Sequence, residues 1–229
     1  MNNSKVPSIS IEGHATVAAK ADIGFVDLYS RADGMLLEDA VAESTNRVDK
    51  IIGGIRSSKL DIKDIEVADI QIGERKPLMT ASKETPKPEV IKNILVVIPP
   101  SLEIAIRIVD IASRLGASLQ SPLGNMFASG VAGSAILFGL LNSSESEEAA
   151  IKAAIEDAHA LAARTAKLLG KSIGRVLEIT KIETAGTAMR GPQPHKKAKD
   201  SRFLTNYLSL TPGKVEVAAT LTIVFELLG

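Results

Sequence analysis

The sequence predicts an α+β domain in which mainly antiparallel sheets pack on amphipathic helices. Three observations support this prediction. Strand-like apolar runs recur along the 229 residues, three longer segments carry apolar residues at helical spacing, and the last strand alternates without interruption. A chain of this length is long enough to bury a core of its own. Its 45% hydrophobic and 24% charged residues are typical of a globular protein.

The first part of the chain predicts two strands, a helix and a third strand. Ser8 to Val17 alternates apolar and polar residues around Gly13, which predicts a strand with a kink or bulge at the glycine. Ile23 to Ser30 is a second strand-like run. Ile65 to Ile72 is a third, and its phase slips after Val67, which predicts a bulge. The helix between them has one apolar stripe, formed by Leu37, Val41, Ser44, Val48, Ile51 and Ile55.

A polar segment with three prolines, Gly73 to Glu89, predicts an exposed loop or a domain boundary. Val90 to Ile98 then predicts an apolar strand. Ser101 is the predicted N-cap of a second helix, and Gly116 is its predicted stop. The apolar stripe of this helix is Ile104, Ile108, Ile111 and Leu115.

The second part of the chain repeats the succession of strand and helix. Ser134 to Leu141 predicts a strand, and Gly174 to Glu183 predicts another. Between them lies the longest helix, with a capping box at Ser144 and Glu147 and a stop at Gly170. Its predicted stripe is Ile151, Ile155, Ala158, Ala162, Thr165 and Leu169. The similar order of elements is consistent with two lobes or with a duplicated β-β-α-β arrangement.

Thr184 to Gly213 is long and polar, and a structureless loop of this length is usually either functional or disordered. The strand that follows is the most regular in the sequence. Every odd position from Val215 to Leu227 is apolar, which predicts an antiparallel strand with one buried face.

The composition excludes several classes of function. Cysteine is absent, which excludes thiol catalysis, disulfides and cysteine-based zinc sites. The 27 basic residues balance the 27 acidic ones, and aromatic residues make up only 3%, so we expect no nucleic-acid partner. The three histidines, His14, His159 and His195, are scattered, and we expect no metal or other cofactor. Leu169 to Ser172 (LGKS) closes a helix rather than opening one, so it does not predict a phosphate-binding loop.

No secretory signal and no apolar run long enough to span a membrane is visible in the sequence. The chain as written is therefore predicted to be cytoplasmic. The alternative is a periplasmic or cell-envelope protein from which a signal peptide was removed.

Two segments are candidate interaction sites. Gly124 to Gly133 is interpreted either as a cradle of backbone amides for an anion or, preferably, as a subunit contact, because apolar loop residues favour an interface. The predicted oligomer contacts are Leu123, Met126, Phe127 and Val131. The polar loop from Thr184 to Gly213 carries a cluster of basic residues. This cluster is either a solvated surface or a site for an anionic partner. The residues of this cluster are His195, Lys196, Lys197, Lys199 and Arg202.

Several segments, in this order and spacing, carry a resemblance to a known family. They are Ile9–Val17 (ISIEGHATV), Ile136–Leu140 (ILFGL), the alanine-rich helix and Gly170–Leu177 (GKSIGRVL) after it, Pro212–Val217 (PGKVEV), and Val224–Glu226 (VFE). Together they resemble the SIMPL-domain family. The family includes bacterial envelope proteins described as periplasmic immunogenic or oxidative-stress defence proteins, and it is named for an animal signalling molecule that associates with a pelle-like kinase.

The resemblance spans residues 8–227 and implies a single domain with an α+β fold, with 8–72 and 90–227 as its lobes if it is two-lobed. It also implies a ring-like or barrel-like homo-oligomer, as known for at least one bacterial member. The family has no established catalytic residues, so the expected function is a non-catalytic homo-oligomeric structural or binding protein, linked to stress protection. Two alternatives stay open. One is an adaptor that binds a partner protein through loops 73–89 and 184–213, and the other is an enzyme of unknown reaction.

Overall fold

A computed structural model of the chain describes residues 6–75, 86–119, 136–186, 205 and 207–229. Within these residues the chain forms two antiparallel sheets and three helices, which confirms the predicted α+β fold. The helices are α1 Leu37–Ser57, α2 Leu102–Arg114 and α3 Ser144–Leu168. The strands, β1 to β8 in chain order, are Ser8–Ala19, Ile23–Asp33, Asp64–Arg75, Lys87–Ile98, Ile136–Gly139, Ser172–Gly186, Leu208–Ser209 and Val215–Leu228.

The two sheets interleave along the sequence. The three-stranded sheet has the order β1-β8-β6, and the five-stranded sheet has the order β3-β4-β2-β5-β7. The first strand of the chain pairs with the last over its whole length, with Ser8 opposite Glu226. Each of the two segments 8–72 and 90–227 contributes strands to both sheets, so the sheets do not correspond to these segments.

Helices α1 and α2 cover one face of the five-stranded sheet with large aliphatic side chains. Ile51 and Ile55 of α1 and Ile108 of α2 are fully buried in this layer. The predicted stripe of α1 is correct from Ser44 to Ile55, but Leu37 and Val41 are exposed and Ala40 is buried in their place. The chain enters the helix tightly, because a Cβ on Gly34 would lie 2.6 Å from the amide nitrogen of Ala40. A small residue is therefore favoured there. The stripe of α2 is also shifted, to Ala105, Ile108 and Ala112.

Helix α3 packs on the three-stranded sheet through alanines alone at its most buried positions. These alanines are Ala150, Ala154, Ala158, Ala162 and Ala166. The predicted stripe shares only Ala158 and Ala162 with them, and Ile155 is exposed. The reason is the close approach of the helix to β1. A Cβ on Gly13 would lie 2.2 Å from the Ala154 carbonyl oxygen and 2.7 Å from the Ala158 Cβ.

Gly13 therefore serves close packing, and the bulge that is one of the two predictions for this residue is wrong. Strands β1 and β8 keep one register from Ser8 to Ala19. The prediction for β8 is confirmed, because its odd positions from Val215 to Phe225 are buried against α3. The predicted bulge in β3 is also confirmed, by a register shift between Val67 and Asp69.

Element ends follow the predicted signals in most places. The Ser101 hydroxyl accepts the Ile104 amide at 3.4 Å, and Gly116 and Gly170 adopt positive φ at the ends of α2 and α3. The N-cap of α3 is Ser143 rather than Ser144, and the Ser143 hydroxyl donates to the Glu147 carboxylate at 2.7 Å. The strands enter both predicted loops, since β3 ends at 75, β4 begins at 87 and β6 ends at 186.

Candidate functional site

The site residues that the sequence predicts lie outside the described part of the chain. The predicted oligomer contacts are Leu123, Met126, Phe127 and Val131, and the predicted anionic-partner cluster is His195, Lys196, Lys197, Lys199 and Arg202. Both stay predictions. The described residues that flank the segment with Leu123 to Val131 both pair with strand β2. Ser118 forms a bridge with Tyr29 of β2, and Ile136 lies opposite Val26 of β2.

Strand β6 carries exposed aliphatic side chains that are not among the predicted site residues. We call them the aliphatic row: Val176, Leu177, Ile179 and Ile182, with exposed fractions of 46%, 38%, 47% and 55%. Val176 lies opposite Phe225 and Ile179 lies opposite Ile223, and both partners on β8 face α3. These two side chains therefore also lie on the α3 side of the sheet. The sequence held a signal, because apolar residues here do not alternate with polar ones.

Val176 and Ile179 are exposed because α3 does not reach over them. The helix packs mainly over β1 and β8 and makes fewer contacts with β6. Alanine side chains bring the helix close to the sheet but extend only a short distance to either side. The register of β6 also shifts three times against β8, between Ile173 and Val176, Val176 and Glu178, and Thr180 and Glu183. Such bulges twist a strand away from regular pairing, and β6 is an edge strand in the sheet that the described residues form.

The opposite edge of the same sheet is β1, and there α3 makes a backbone contact. The amide N–H of His14 donates to Asp157 Oδ2 at 3.1 Å. The carbonyl of Pro7 accepts the amide of Leu227, so odd positions of β1 turn their backbone groups to β8 and even positions turn theirs to the free edge. His14 is an even position. Asp157 therefore takes the place that the carbonyl of a neighbouring strand would occupy.

The side chain of His14 lies on the face of the sheet away from α3. Its Nδ1 is 3.1 Å from the Thr220 hydroxyl and its Nε2 is 3.3 Å from the Glu12 carboxylate. His14 and Glu12 are both exposed, so this contact contributes little to stability. The face is polar and solvated.

A buried carboxyl group lies in the middle of the five-stranded sheet. Asp27 of β2 is only 6% exposed and lies on the face away from α1 and α2. Burial raises its pKa from 3.8 to about 7, although a hydrogen bond with Asn93 acts in the opposite direction. Burial and the nearby Asp27 charge also raise the pKa of Tyr29. The Asp27 carboxyl group is thus enclosed within the sheet.

A third polar cluster joins α3 to both sheets around Tyr207. Hydrogen bonds from Ser143 and Tyr207 lower the pKa of Glu147, and burial raises the pKa of Tyr207, which also bonds to Thr184 of β6. The hydroxyl of Thr205 donates to the Leu140 carbonyl beside β5. These bonds fix the chain that leads into β7, which is a structural role.

In the described ranges, no three His, Asp or Glu side chains come close enough to hold a metal ion. A shallow pocket of about 270 Å³ lies between the end of α1 and α2. It is lined by Ser58, Leu60, Arg107, Asp110, Ile111 and Arg114. The lining carries both signs of charge, and Arg107 is paired with Glu103 at 2.9 Å. None of the described helices is long and apolar enough to cross a membrane.

The family model SIMPL, described as a protein of unknown function (DUF541), matches residues 9–225 and so covers nearly the whole chain. No curated protein matches the chain.

Proposed function

The chain belongs to the SIMPL family, whose function is unknown, and we propose that this member is a non-catalytic structural or binding protein that assembles with copies of itself. The observation that carries the proposal is the aliphatic row on β6. An exposed run of large aliphatic side chains on one strand is typical of an interaction surface.

A second copy of the chain is a suitable partner for this surface. Two rows related by a twofold axis present the same apolar side chains to each other, which is the commonest arrangement in homo-oligomers. The formal net charge of zero also means that copies do not repel each other strongly. Without cysteine, the contact depends on no disulfide, so it can form in either compartment that the sequence leaves open.

The contact is expected to use side chains rather than added strands. The three register shifts in β6 disturb the spacing of its outward backbone groups, which disfavours a ladder with another strand. Side-chain packing of the row against its copy is not restricted in this way. A twofold contact gives a pair of subunits. The larger ring that the family resemblance implies needs a second contact, for which the loop around Leu123 to Val131 remains the prediction.

The test is the native mass by light scattering, at two protein concentrations and two salt levels. We expect a discrete assembly that resists dilution and salt, because apolar contacts are not screened. In Ile179→Lys, a charge at the centre of the row should dissociate it. The matched control is Ile72→Lys, at an isoleucine on β3 of the other sheet that is 61% exposed against 47% for Ile179, and it should keep the wild-type mass.

A monomeric wild-type protein at micromolar concentration would contradict the proposal. An assembly that survives Ile179→Lys but is lost in Ile72→Lys would place the contact on β3 and remove the aliphatic row from it. Circular dichroism of both variants shows that the fold is retained.

A further inference from the structure

Strand β1 is an edge strand of the three-stranded sheet, and among the described residues no strand pairs with its outer side. A strand edge presents unpaired amides and carbonyls, and these can pair with a strand of another molecule. Strand β1 has twelve residues and pairs with β8 in one unbroken register. Its outward-facing positions are therefore evenly spaced, unlike those of β6. A long regular edge of this kind is the part of the sheet most suited to strand addition.

In the middle of this edge, one backbone donor is already bonded. The amide of His14 donates to Asp157 of α3, and the two residues are 143 positions apart in sequence. The outward amides on either side, those of Glu12 and Thr16, have no acceptor within the described ranges. The acceptor at His14 is a carboxylate, and hydrogen bonds to charged acceptors are stronger than those between neutral groups.

The fold places Asp157 at the edge by the packing described above. Ala154 and Ala158 lie against Gly13, and Asp157 projects from the same turn of the helix beside them. The alanines and the glycine bring the helix backbone close enough for a short aspartate side chain to reach the strand. The carboxylate is held on a rigid helix, so an incoming strand would have to displace it to bond the His14 amide.

We propose that Asp157 guards the β1 edge and keeps a strand of a second copy from adding to the three-stranded sheet there. The inference goes beyond the proposed assembly through β6 and does not depend on it. The two edges are then closed by different means, a helix carboxylate at β1 and register shifts at β6. Contact between copies is limited to side-chain packing, which gives finite assemblies instead of growing sheets.

The first test needs no variant. Amide hydrogen exchange of the wild-type protein, resolved by residue, should show the His14 amide exchanging about tenfold or more slowly than the outward amides of Glu12 and Thr16, as expected for one added hydrogen bond. If His14 exchanges as fast as these two neighbours, the bond does not protect the edge and the proposal is overturned.

The second test compares three variants. Asp157→Ala removes the acceptor, Asp157→Asn keeps an acceptor oxygen without the charge, and Glu156→Ala is the matched control one residue away on α3. In Asp157→Ala, we expect the His14 amide to exchange about tenfold faster than in wild type. We also expect this variant to form larger aggregates that bind thioflavin. In Asp157→Asn, the weaker hydrogen bond to a neutral acceptor should speed exchange of the His14 amide by less than in Asp157→Ala, without aggregation. Glu156→Ala should resemble wild type in both measurements.

Two results would overturn the proposal. One is an Asp157→Ala protein with wild-type exchange and wild-type mass. The other is an Asp157→Asn protein that aggregates like Asp157→Ala, because then charge repulsion rather than the hydrogen bond protects the edge. The result is separable from that of the β6 proposal, because Ile179→Lys tests discrete assembly and Asp157→Ala tests open-ended growth.

Discussion

The two sheets of this protein bury their helix-covered faces by opposite means. On the five-stranded sheet, α1 and α2 fill the layer with large aliphatic side chains such as Ile51 and Ile108. On the three-stranded sheet, α3 contributes alanines, and the strand below supplies Gly13 at the closest point. The first layer is thick and gains stability from buried apolar area. The second is thin and depends on a close fit between backbones.

The opposite faces differ as well. The face of the three-stranded sheet away from α3 is polar, with His14 and Glu12 exposed to solvent. The corresponding face of the five-stranded sheet buries Asp27 next to apolar residues such as Phe25 and Leu95. The difference separates two roles. The five-stranded sheet buries large aliphatic side chains and the carboxyl groups of Asp27 and Glu89, whereas the three-stranded sheet is the one for which we propose contacts with other copies.

The largest expected change in the free energy of unfolding is at Asp27. Its pKa is about 7 in the folded protein and 3.8 as the reference for the unfolded chain, so the folded state binds the proton more tightly. The free energy of unfolding of the wild type therefore falls as pH rises from about 4 to 7. Asp27→Asn removes this dependence. We expect it to be more stable than wild type by up to roughly 4 kcal/mol at pH 8, with a much smaller gain at pH 4.

Urea unfolding of both proteins from pH 4 to pH 8 measures this difference. Asp49→Asn, which replaces an exposed carboxylate on α1, is the control and should shift stability by less than about 0.5 kcal/mol. A difference between Asp27→Asn and wild type that stays constant with pH would show that Asp27 does not titrate in this range.

The next largest expected change in stability tests the layer of aliphatic side chains between α1 and the five-stranded sheet. Ile51 is fully buried between α1 and the five-stranded sheet, so Ile51→Ala removes apolar contacts and leaves a cavity. We expect a loss of about 3 kcal/mol, within the range of large-to-small core substitutions. Val41→Ala on the exposed side of the same helix should cost less than about 0.5 kcal/mol. Denaturant midpoints measure both, and equal losses would mean that α1 is not packed by its inner face.

The same contrast explains how far the sequence predicts the fold. The α1 stripe is predicted well after its first turn, because Val48, Ile51 and Ile55 recur at helical spacing and are buried. In α3 the same reasoning selects Ile155 over Ala154, and the structure has the reverse. The close approach at Gly13 excludes large side chains, and this distance is a property of tertiary packing.

The interaction surfaces differ in the same way. The row on β6 is visible in the sequence once apolar residues that fail to alternate are counted as a signal, as at Val176 and Leu177. The hydrogen bond between His14 and Asp157 is not visible, because no local pattern links positions 143 apart. Asp27 lies between these two cases in how far the sequence predicts it. A carboxylate within an apolar strand indicates a special environment, but its pKa depends on the depth of burial.

The smallest expected change in stability is at Gly13, where α3 packs closely on β1. Gly13→Ala places a methyl group where the Ala154 carbonyl and the Ala158 Cβ already lie, so α3 has to move away from β1. We expect a loss of about 2 kcal/mol, typical of overpacking. Gly53→Ala is the matched control. A Cβ there meets nothing within 4 Å, and alanine favours a helix, so it should gain about 0.5 to 1 kcal/mol.

The displacement of α3 in Gly13→Ala should also lengthen the His14–Asp157 hydrogen bond, because the alanines and the glycine set the distance between helix and edge. Faster exchange of the His14 amide, measured with the same method as for Asp157→Ala, would then accompany the loss of stability. A destabilised protein whose His14 amide is still protected would show that Asp157 reaches the edge without the close helix contact. The close packing of α3 on β1 would then contribute to stability alone, and the protection of the β1 edge by Asp157 would not depend on that packing.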